Sequence, residues 1–445
     1  IQISPVIVNQ PASSTVCVNG TPTVLSFTYS NGSGTPTYQW FSNTSNSNTG
    51  GTLISGATNA TFNPPALISG TVYYYCVVTF PALSGGCAII NTNPAEVIVN
   101  DNPIVANESD TICSTNSFTI APTNSGSNIV PIGTTYTWTN PVISPAGTIT
   151  GASAQSIPQT EISQTLINTT SNVATVTYTV TPTSGICKGA DFKVIITVNP
   201  AINPNVVLKN NTCFGINNAT ISTSITGGIP FATGAPYLIS WTGPNGFTSS
   251  ATSISNLAPG KYDLNITDAG GCPFSDSYDI SEPDDIVITV DSENNISCFG
   301  NNDGSINLSV IGGTGNYTYT WTKNGSPFAS TEDIANLGPG NYQVSVTDVN
   351  NCGSKILPFT IIEPPLLVVS LGSQTNVLCF GKATGAIVVD VIGGTLDYVF
   401  NWTGPNNFTS NTQNLTDIFA GTYKLIATDA NGCSKNLSVT ITQST

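Results

Sequence analysis

Cysteines have the most varied chemical potential in this chain, because a thiol can form disulfides, bind metals or act as a nucleophile. The 445 residues include 11 cysteines, and three of them open the same phrase, Cys-Phe-Gly, at positions 213, 298 and 379. No two form a Cys-x-x-Cys pair, the spacing typical of zinc ribbons and thioredoxin-type redox sites. Widely spaced cysteines in a chain rich in Thr and Asn favour disulfides, and therefore an oxidising compartment.

Three aspartates in related contexts are candidates for cation binding. Asp268, Asp348 and Asp429 stand in TDAGGC, TDVNNC and TDANGC. They lack the alternating acidic ligands and the distal Glu of a calcium loop, so they are weak calcium candidates. An Asx-turn that closes a hairpin accounts for the same residues. Apart from calcium, we predict no cofactor and no metal site.

Aromatic residues alternate along one stretch of each repeated segment, as in Tyr317, Tyr319 and Trp321. Such a row can stack on sugars, or it can fill a hydrophobic core. We favour the core, because the tryptophan recurs in every segment of the chain and the alternating positions are polar.

Residue types that common enzymatic sites require are missing. The chain has no His and no Arg, and its nine basic residues, all Lys, face 24 acidic ones, for a net charge of −15. Without His, Ser-His-Asp and Cys-His catalysis are excluded. An acidic chain without Arg lacks the electrostatic footprint of a nucleic-acid-binding protein. We therefore predict no enzyme, no catalytic residue and no nucleic-acid partner; no apolar run reaches the roughly 18 residues of a membrane span.

The three Cys-Phe-Gly phrases each open a repeat with fixed internal spacing. Gly-Gly follows the first cysteine at the same distance in every copy, as Gly312 follows Cys298. A second cysteine follows a tryptophan at an equally constant distance, as Cys352 follows Trp321, and a Gly-x-Tyr always stands between them. Extra residues in the first copy all fall between Gly-Gly and Trp, which indicates a surface loop between fixed elements.

The pattern predicts an all-β chain, a tandem array of five Ig-like antiparallel β-sandwich modules in an extended rod. Alternation such as Ile306, Leu308, Val310 is typical of half-buried strands. Short Pro-containing linkers between the modules are semi-rigid spacers. The five parts are module 1 (1–101), module 2 (102–199), repeat 1 (200–284), repeat 2 (285–365) and repeat 3 (366–445). Each contains one tryptophan that we predict to lie in its core: Trp40, Trp138, Trp241, Trp321 and Trp402.

Each module has an early and a late cysteine, and a tryptophan packed on a disulfide is the Ig-like arrangement. We predict one bond within each module: Cys17–Cys87, Cys113–Cys187, Cys213–Cys272, Cys298–Cys352 and Cys379–Cys433. In module 1 the alternative Cys17–Cys76 stays open, because Tyr74-Tyr75-Cys76 resembles the Tyr-x-Cys of antibody domains. With the first pairing, Cys76 is a buried free thiol.

Two stretches of repeat 2, CFGNNDGSINLSVIGGTGNYTYTW (298–321) and LGPGNYQVSVTDVNNC (337–352), and their copies resemble the SprB repeat of Bacteroidetes gliding-motility adhesins. The stretch at 38–65 of module 1 looks like the Ig-like or PKD-like domains that accompany such repeats, and module 2 is an Ig-like module with a looser match. The resemblance implies type IX secretion and adhesion at the outside of the bacterial outer membrane.

We therefore expect a structural stalk segment of a secreted cell-surface adhesin used in gliding motility and surface attachment. The alternative is that the repeats bind polysaccharide directly. The expected partners are neighbouring modules of the same long adhesin, the type IX secretion and gliding machinery and, in the alternative, surface polysaccharide.

Overall fold

β-Strands and two short 3-10 turns form the regular structure of a computed structural model that describes residues 4–81 and 88–444. Val, Ile, Thr and Tyr occupy the strands, where branched and aromatic side chains pack well on a pleated surface. Asn and Gly with positive φ, such as Asn324 and Gly325 between two strands of repeat 2, make the turns. The described residues contain no α-helix, as the absence of helical periodicity predicts.

The chain divides into two compact units, and repeat 1 contributes segments to both. The first unit runs up to Asn205 and adds Thr223–Ser240 and Leu264–Asp276. The second consists of Val206–Ser222, Trp241–Asp263 and the chain from Ser277 onwards.

Module 1 is built around a sheet with the strand order β2-β10-β8-β5-β6, in which β9 also pairs with β8. β2 and β10, the strands of this sheet that come first and last along the chain, are neighbours in it and run parallel. Cys17 therefore lies opposite Asn100. The strands are Val6–Asn9 (β1), Ser14–Cys17 (β2), Leu25–Ser26 (β3), Thr28–Ser30 (β4), Thr37–Asn43 (β5), Thr52–Leu53 (β6), Thr61–Phe62 (β7), Gly70–Phe80 (β8), Ala88–Asn91 (β9) and Ala95–Asn100 (β10).

Module 2 repeats this plan with the order β11-β21-β19-β13-β16, and β11 and β21 are again parallel. Cys113 therefore lies opposite Asn199 at the end of the last strand. The strands are Glu108–Cys113 (β11), Ser117–Ile120 (β12), Thr134–Trp138 (β13), Val142–Ser144 (β14), Ile149–Thr150 (β15), Gln155–Gln159 (β16), Ile162–Thr165 (β17), Ile167–Asn168 (β18), Ala174–Ser184 (β19), Cys187–Lys188 (β20) and Phe192–Asn199 (β21).

Repeat 1 has seven strands and one 3-10 turn, Pro244–Gly246. The strands are Ile202–Lys209 (β22), Ala219–Gly227 (β23), Leu238–Gly243 (β24), Phe247–Ser249 (β25), Ser253–Leu257 (β26), Gly260–Thr267 (β27) and Pro273–Ile280 (β28).

Repeats 2 and 3 are sandwiches of one three-stranded and one four-stranded antiparallel sheet. In repeat 2 the orders are β29-β30-β33 and β32-β31-β34-β35, and repeat 3 has β36-β37-β40 and β39-β38-β41-β42. The strands are Val287–Asn294 (β29), Gly304–Ile311 (β30), Thr318–Lys323 (β31), Ser326–Ala329 (β32), Ile334–Leu337 (β33), Gly340–Thr347 (β34), Lys355–Ile361 (β35), Val368–Thr375 (β36), Gly385–Ile392 (β37), Val399–Gly404 (β38), Phe408–Ser410 (β39), Leu415–Ile418 (β40), Gly421–Thr428 (β41) and Ser434–Ile441 (β42); Pro405–Asn407 is a 3-10 turn.

Each of these sandwiches encloses its own hydrophobic core. In repeat 2, Ile306 and Leu308 of one sheet meet Trp321 and Val344 of the other. The fold-class prediction of tandem all-β sandwich modules is confirmed, and their alignment in a rod stays a prediction.

The prediction that all five tryptophans are core residues is confirmed. Their exposure ranges from 0 to 5%, and each indole N–H donates to a backbone carbonyl at 2.9–3.1 Å, as Trp321 does to Thr331. A buried indole needs such a partner, because an unmet donor would cost about 1–3 kcal/mol.

The tyrosine of Gly-x-Tyr is a second anchor of each repeat. Tyr342 is buried, and its hydroxyl donates to the carbonyl of Gly338, four residues upstream, at 2.9 Å. Tyr262 and Tyr423 make the corresponding bonds. The arrangement is similar to the tyrosine corner of Ig-like sandwiches, and it accounts for the recurrence of this Tyr in all three repeats.

Candidate functional site: disulfide joints between modules

The early cysteine of each module lies at the end of the last strand, where the chain leaves the module. In repeat 2 the amide of Ile296 donates to the carbonyl of Ile362, just beyond β35, at 3.1 Å. The amide of Gly300 donates to the Glu363 carboxylate at 2.9 Å. These two bonds hold the Cys298-Phe299-Gly300 turn against the exit of the module.

The late cysteine lies at the opposite end of the same strand. Cys352 comes three residues before β35, which begins at Lys355 and ends at Ile361. Seven residues of strand span about 20 Å at 3.3 Å per residue. A disulfide requires Cα atoms within about 7 Å, so Cys298 and Cys352 cannot be joined.

The predicted pairing within modules is therefore wrong. Cys17 pairs with neither Cys87 nor Cys76, Cys113 does not pair with Cys187, and Cys213 does not pair with Cys272. The pairs Cys298–Cys352 and Cys379–Cys433 are likewise not formed. Trp321 is buried as predicted, but it has no intramodular bridge beside it. Cys87 itself lies outside the described residues.

The structure joins the early cysteine of one module to the late cysteine of the next. The Cα–Cα distances are 5.4–5.7 Å, in the usual range of disulfides. The four bonds of the described residues are Cys17–Cys187, Cys113–Cys272, Cys213–Cys352 and Cys298–Cys433. Each one closes a loop of 135 to 170 residues.

A buried aspartate positions the late cysteine of each repeat. Asp348 is 1% exposed, and one of its oxygens accepts the amide hydrogens of Asn350 at 3.0 Å and Cys352 at 2.9 Å. The other oxygen accepts the amide and the hydroxyl of Thr314 at 3.0 and 2.8 Å. Burial raises the pKa of Asp348, but the hydrogen bonds from Cys352, Thr314 and Asn350 outweigh it and hold the pKa below the usual value.

These bonds fit the Asx-turn interpretation of the three aspartates. Asp268 accepts the amides of Cys272 and Ile229, and Asp429 accepts those of Asn431, Cys433 and Thr395. The oxygens are directed at N–H and O–H donors, whereas a calcium ion would need several oxygens directed at itself. Within residues 4–81 and 88–444 no group of three or more His, Cys, Asp or Glu is placed to hold a metal ion.

An asparagine of the same turn reaches across the joint. The amide nitrogen of Asn350 donates to the carbonyl of Thr212, the residue before Cys213, at 3.1 Å. Asn431 makes the same bond to the carbonyl of Ser297, before Cys298, at 3.0 Å. The disulfide is thus accompanied by a second, directional contact between consecutive repeats.

The joint between module 2 and repeat 1 uses a different asparagine. Repeat 1 has Gly270 where repeat 2 has Asn350, and a Cβ on Gly270 would lie 2.6 Å from the side-chain nitrogen of Asn199. Asn199 is buried, and that nitrogen lies 3.8 Å from the sulfur of Cys272. At this joint the side-chain amide beside the disulfide therefore belongs to Asn199 of the preceding module.

The Gly-Gly pair of each repeat lies against the linker through which the chain enters that repeat. Gly312 and Gly313 have φ of 83° and 59°, and the amide of Gly313 donates to the carbonyl of Asp284 at 2.7 Å. A Cβ on Gly312 would lie 2.0 Å from the carbonyl oxygen of Asp285. The Pro-containing linker therefore packs directly on the glycine backbone, which accounts for their fixed position.

Two cysteines of the described residues are free, and they differ in environment. Cys76 is completely buried, as predicted for the free thiol of module 1. Burial raises its pKa to about 12, against a smaller opposite effect of the Gln39 backbone, so the group stays a thiol. Cys379, in contrast, is exposed.

The aromatic rows belong to the cores. Tyr317 and Tyr319 are half-buried against the core of repeat 2, and Trp321 is completely buried. The Tyr317 hydroxyl donates to the carbonyl of Gly312 at 2.5 Å. The same bond joins Tyr398 to Gly393. A sugar platform needs exposed aromatic faces, so these rows give no support to polysaccharide binding.

Family models match three parts of the chain. The SprB repeat matches residues 205–246, 291–326 and 371–407, a PKD-like domain matches 110–202, and a domain of unknown function matches 8–101. The matches show SprB repeats within residues 205–407, preceded by a PKD-like domain, as the motifs predict. The PKD-like match falls in module 2, whereas the resemblance noted from the sequence was in module 1.

Two solved structures that match the chain come from multidomain proteins at low sequence identity. Three N-terminal domains of the outer capsid protein Hoc of bacteriophage RB49 are 12% identical and cover 55% of this chain and 100% of their own, with a TM-score of 0.37. Immunoglobulin domains 1–4 of Sidekick-1 are 15% identical and cover 80% of this chain and 98% of their own, with a TM-score of 0.24. No curated protein matches the chain.

SprB repeats and PKD-like domains are typically non-catalytic structural modules, and their combination is typical of adhesin-like structural regions. The disulfides and SprB repeats together indicate an extracellular protein. A search of the described part of the chain for a helix long and apolar enough to cross a membrane finds none.

Proposed function

We propose that this chain is a load-bearing stalk segment of a secreted bacterial adhesin used in gliding motility and surface attachment. The observation that supports it is the pairing of cysteines between neighbouring modules. The proposed partners are further modules of the same adhesin, and the type IX secretion and gliding machinery.

Disulfides between modules limit extension more strictly than disulfides within them. Bonds within modules leave every linker and every module end free to stretch. Here the bonds overlap, because Cys113 lies inside the loop closed by Cys17–Cys187, and Cys213 lies inside the loop closed by Cys113–Cys272. A pulled chain must therefore follow a short covalent path through several bonds.

The shortest covalent path from Cys17 to Cys433 through the bonds of the described residues crosses three of them. It passes from Cys17 to Cys187, along the chain to Cys213, across to Cys352, back along the chain to Cys298, and across to Cys433. The roughly 80 residues of this path reach at most about 300 Å, whereas the roughly 420 residues of the reduced chain reach about 1400 Å. Tension thus cannot unravel the segment while the bonds hold.

Surface composition supports the same role. Only 7% of the residues are charged, and the net charge is −15. A polar surface with an excess of negative charge disfavours self-association and contact with anionic envelopes. An exported stalk that slides past its own cell surface benefits from both properties.

Single-molecule pulling between residues flanking Cys17 and Cys433 tests the proposal. In oxidising buffer we expect the extension between these cysteines to stop at about 300 Å, and with reductant we expect it to approach about 1400 Å. Equal extensions in the two conditions would contradict the load-bearing role. A serine replacement of all eight bonded cysteines is the control that must behave as the reduced chain in both buffers.

A further inference from the structure

The third Cys-Phe-Gly phrase forms half of a joint. Its turn is built like the two that are bonded: the amide of Lys382 donates to the carbonyl of Cys379 at 3.2 Å, as Asn301 does to Cys298 at 3.0 Å. The amide of Gly381 donates to the Gln443 side chain at 3.2 Å, in the place of Gly300 with Glu363. The conformation that presents the cysteine is therefore in place without a bonded partner.

The other half of such a joint is seen twice in this chain. Cys213 receives Cys352, and Cys298 receives Cys433. Both incoming cysteines end a Thr-Asp-x-Asn-x-Cys turn, and both turns donate an Asn amide to the carbonyl just before the receiving cysteine. The segment that fits a Cys-Phe-Gly turn is therefore a Thr-Asp-x-Asn-x-Cys turn, which supplies both the thiol and the Asn amide.

The phenylalanine next to Cys379 is more exposed to solvent than its counterparts in the two bonded joints. Phe380 is 76% exposed, compared with 54% for Phe214 and 51% for Phe299. Phe214 lines a cleft together with Cys352 of the next repeat. Leu378 precedes Cys379 as Thr212 precedes Cys213 and Ser297 precedes Cys298, so its carbonyl corresponds to the acceptors of the two bonded joints. Its exposure is 77%. Two large apolar side chains thus flank an accessible thiol.

We propose that Cys379 is a covalent docking site for the Thr-Asp-x-Asn-x-Cys turn of another SprB-type module. The two thiols lose two protons and two electrons to form the bond, and a small-molecule or protein disulfide accepts them and is reduced to two thiols. The Asn amide of the incoming turn donates to the carbonyl of Leu378, and Phe380 packs beside the new bond. This inference rests on the pairing geometry and is independent of any load-bearing role.

The test adds one module to the intact chain. A second copy of residues 366–445 is fused directly after Thr445, which gives nearly the same cysteine spacing as between repeats 2 and 3. In this copy Cys379 is replaced by Ser and the exposed Lys435 by Arg, so that its peptides differ in mass from the original ones. The fusion is oxidised with glutathione disulfide, its remaining thiols are alkylated, and its peptides are mapped without reduction. We expect Cys379 to be bonded to the copied Cys433 and to be protected from iodoacetamide, whereas the unfused chain is alkylated at Cys379.

Three results would overturn the inference. One is a fusion in which the four existing bonds form, which reports correct folding, while Cys379 and the copied Cys433 both stay free. Another is a bond from Cys379 to Cys379 of a second chain that persists in the fusion. The third is a Cys379 that resists alkylation in the unfused chain. A fusion whose copied Cys433 is replaced by Ser is the matched control, and its Cys379 must remain reactive.

Discussion

Asp348 organises a joint through hydrogen bonds to Thr314, Asn350 and Cys352, all within its own repeat. Its carboxylate holds the amides of Asn350 and Cys352, so the amide side chain and the sulfur both face the preceding repeat. Asp429 has the same role, and Asp268, which is followed by Gly270, positions the cysteine alone. This explains why Asp precedes the late cysteine at a fixed distance in all three repeats. The sequence contains this signal, but it can equally be interpreted as a partial calcium loop.

Replacing Asp348 with Asn should destabilise repeat 2 by about 1–3 kcal/mol, because an NH2 group would then face N–H donors that lose their acceptor. Thermal unfolding of the reduced protein measures the loss. Asp279→Asn is the control, since Asp279 is exposed on a strand of repeat 1, and its effect should stay within about 0.5 kcal/mol. Equal effects of the two replacements would contradict the role given to Asp348.

Asp348 should also make repeat 2 sensitive to acid. Its pKa is lower in the folded protein than in the unfolded chain, where an Asp has a pKa of about 3.9. The carboxylate therefore stabilises the fold fully above that value, and the contribution is lost as pH falls through the folded pKa. Urea unfolding at a series of pH values should show this loss in the natural protein and a weaker one in Asp348→Asn.

Trp321 is the largest buried side chain of repeat 2. Trp321→Ala should cost about 3–5 kcal/mol, and calorimetry should show one shifted transition while the core of repeat 3 keeps its own. Thr320→Ala is the control, because Thr320 is exposed on the other face of the same strand. A variant that melts like the natural protein would mean that Trp321 is not a core residue.

At the scale of elements, the last strand of every module after the first is a spacer that separates its two cysteines. The first strand ends near the early cysteine, the last strand begins near the late one, and in module 2 these two strands run parallel. Strand positions, turns and core residues were predictable, because alternation and Gly or Asn punctuation are local signals. The pairing was not, because it depends on the direction of strands far apart in sequence.

The Gly-Gly turn should matter for its contact as well as for its conformation. Gly312→Ala places a Cβ 2.0 Å from the Asp285 carbonyl, whereas Gly315→Ala, also at positive φ, meets nothing within 4 Å. Both variants pay about 1–2 kcal/mol for the left-handed backbone, and Gly312→Ala should lose about 1–3 kcal/mol more from the backbone clash. Denaturant unfolding compares them directly. A larger loss for Gly315→Ala would contradict the packing of the linker on Gly312.

At the scale of the whole molecule, overlapping bonds make the covalent path redundant. If Cys213 and Cys352 are both replaced by Ser, the shortest path from Cys17 to Cys433 runs back from Cys187 to Cys113, across to Cys272 and on to Cys298. This path has about 100 residues in place of about 80, so the limit of extension should rise by only about 70 Å.

Pulling of this double variant in oxidising buffer measures the change. A module held by its own bond would release the roughly 54 to 59 residues between its cysteines, or about 180–210 Å. A gain of that size, instead of about 70 Å, would contradict the overlapping arrangement. The natural chain pulled in the same buffer is the reference.

The central claim is that the disulfides join consecutive modules, and cutting one linker tests it most directly. With a protease site inserted between Pro283 and Asp284, the cut is crossed by Cys213–Cys352 alone among the four bonds. On a denaturing gel the cleaved chain should run as one covalent species without reductant and as two fragments with it, while cleaved Cys352→Ser should give two fragments in both conditions. Separation of the natural pair without reductant would contradict the account.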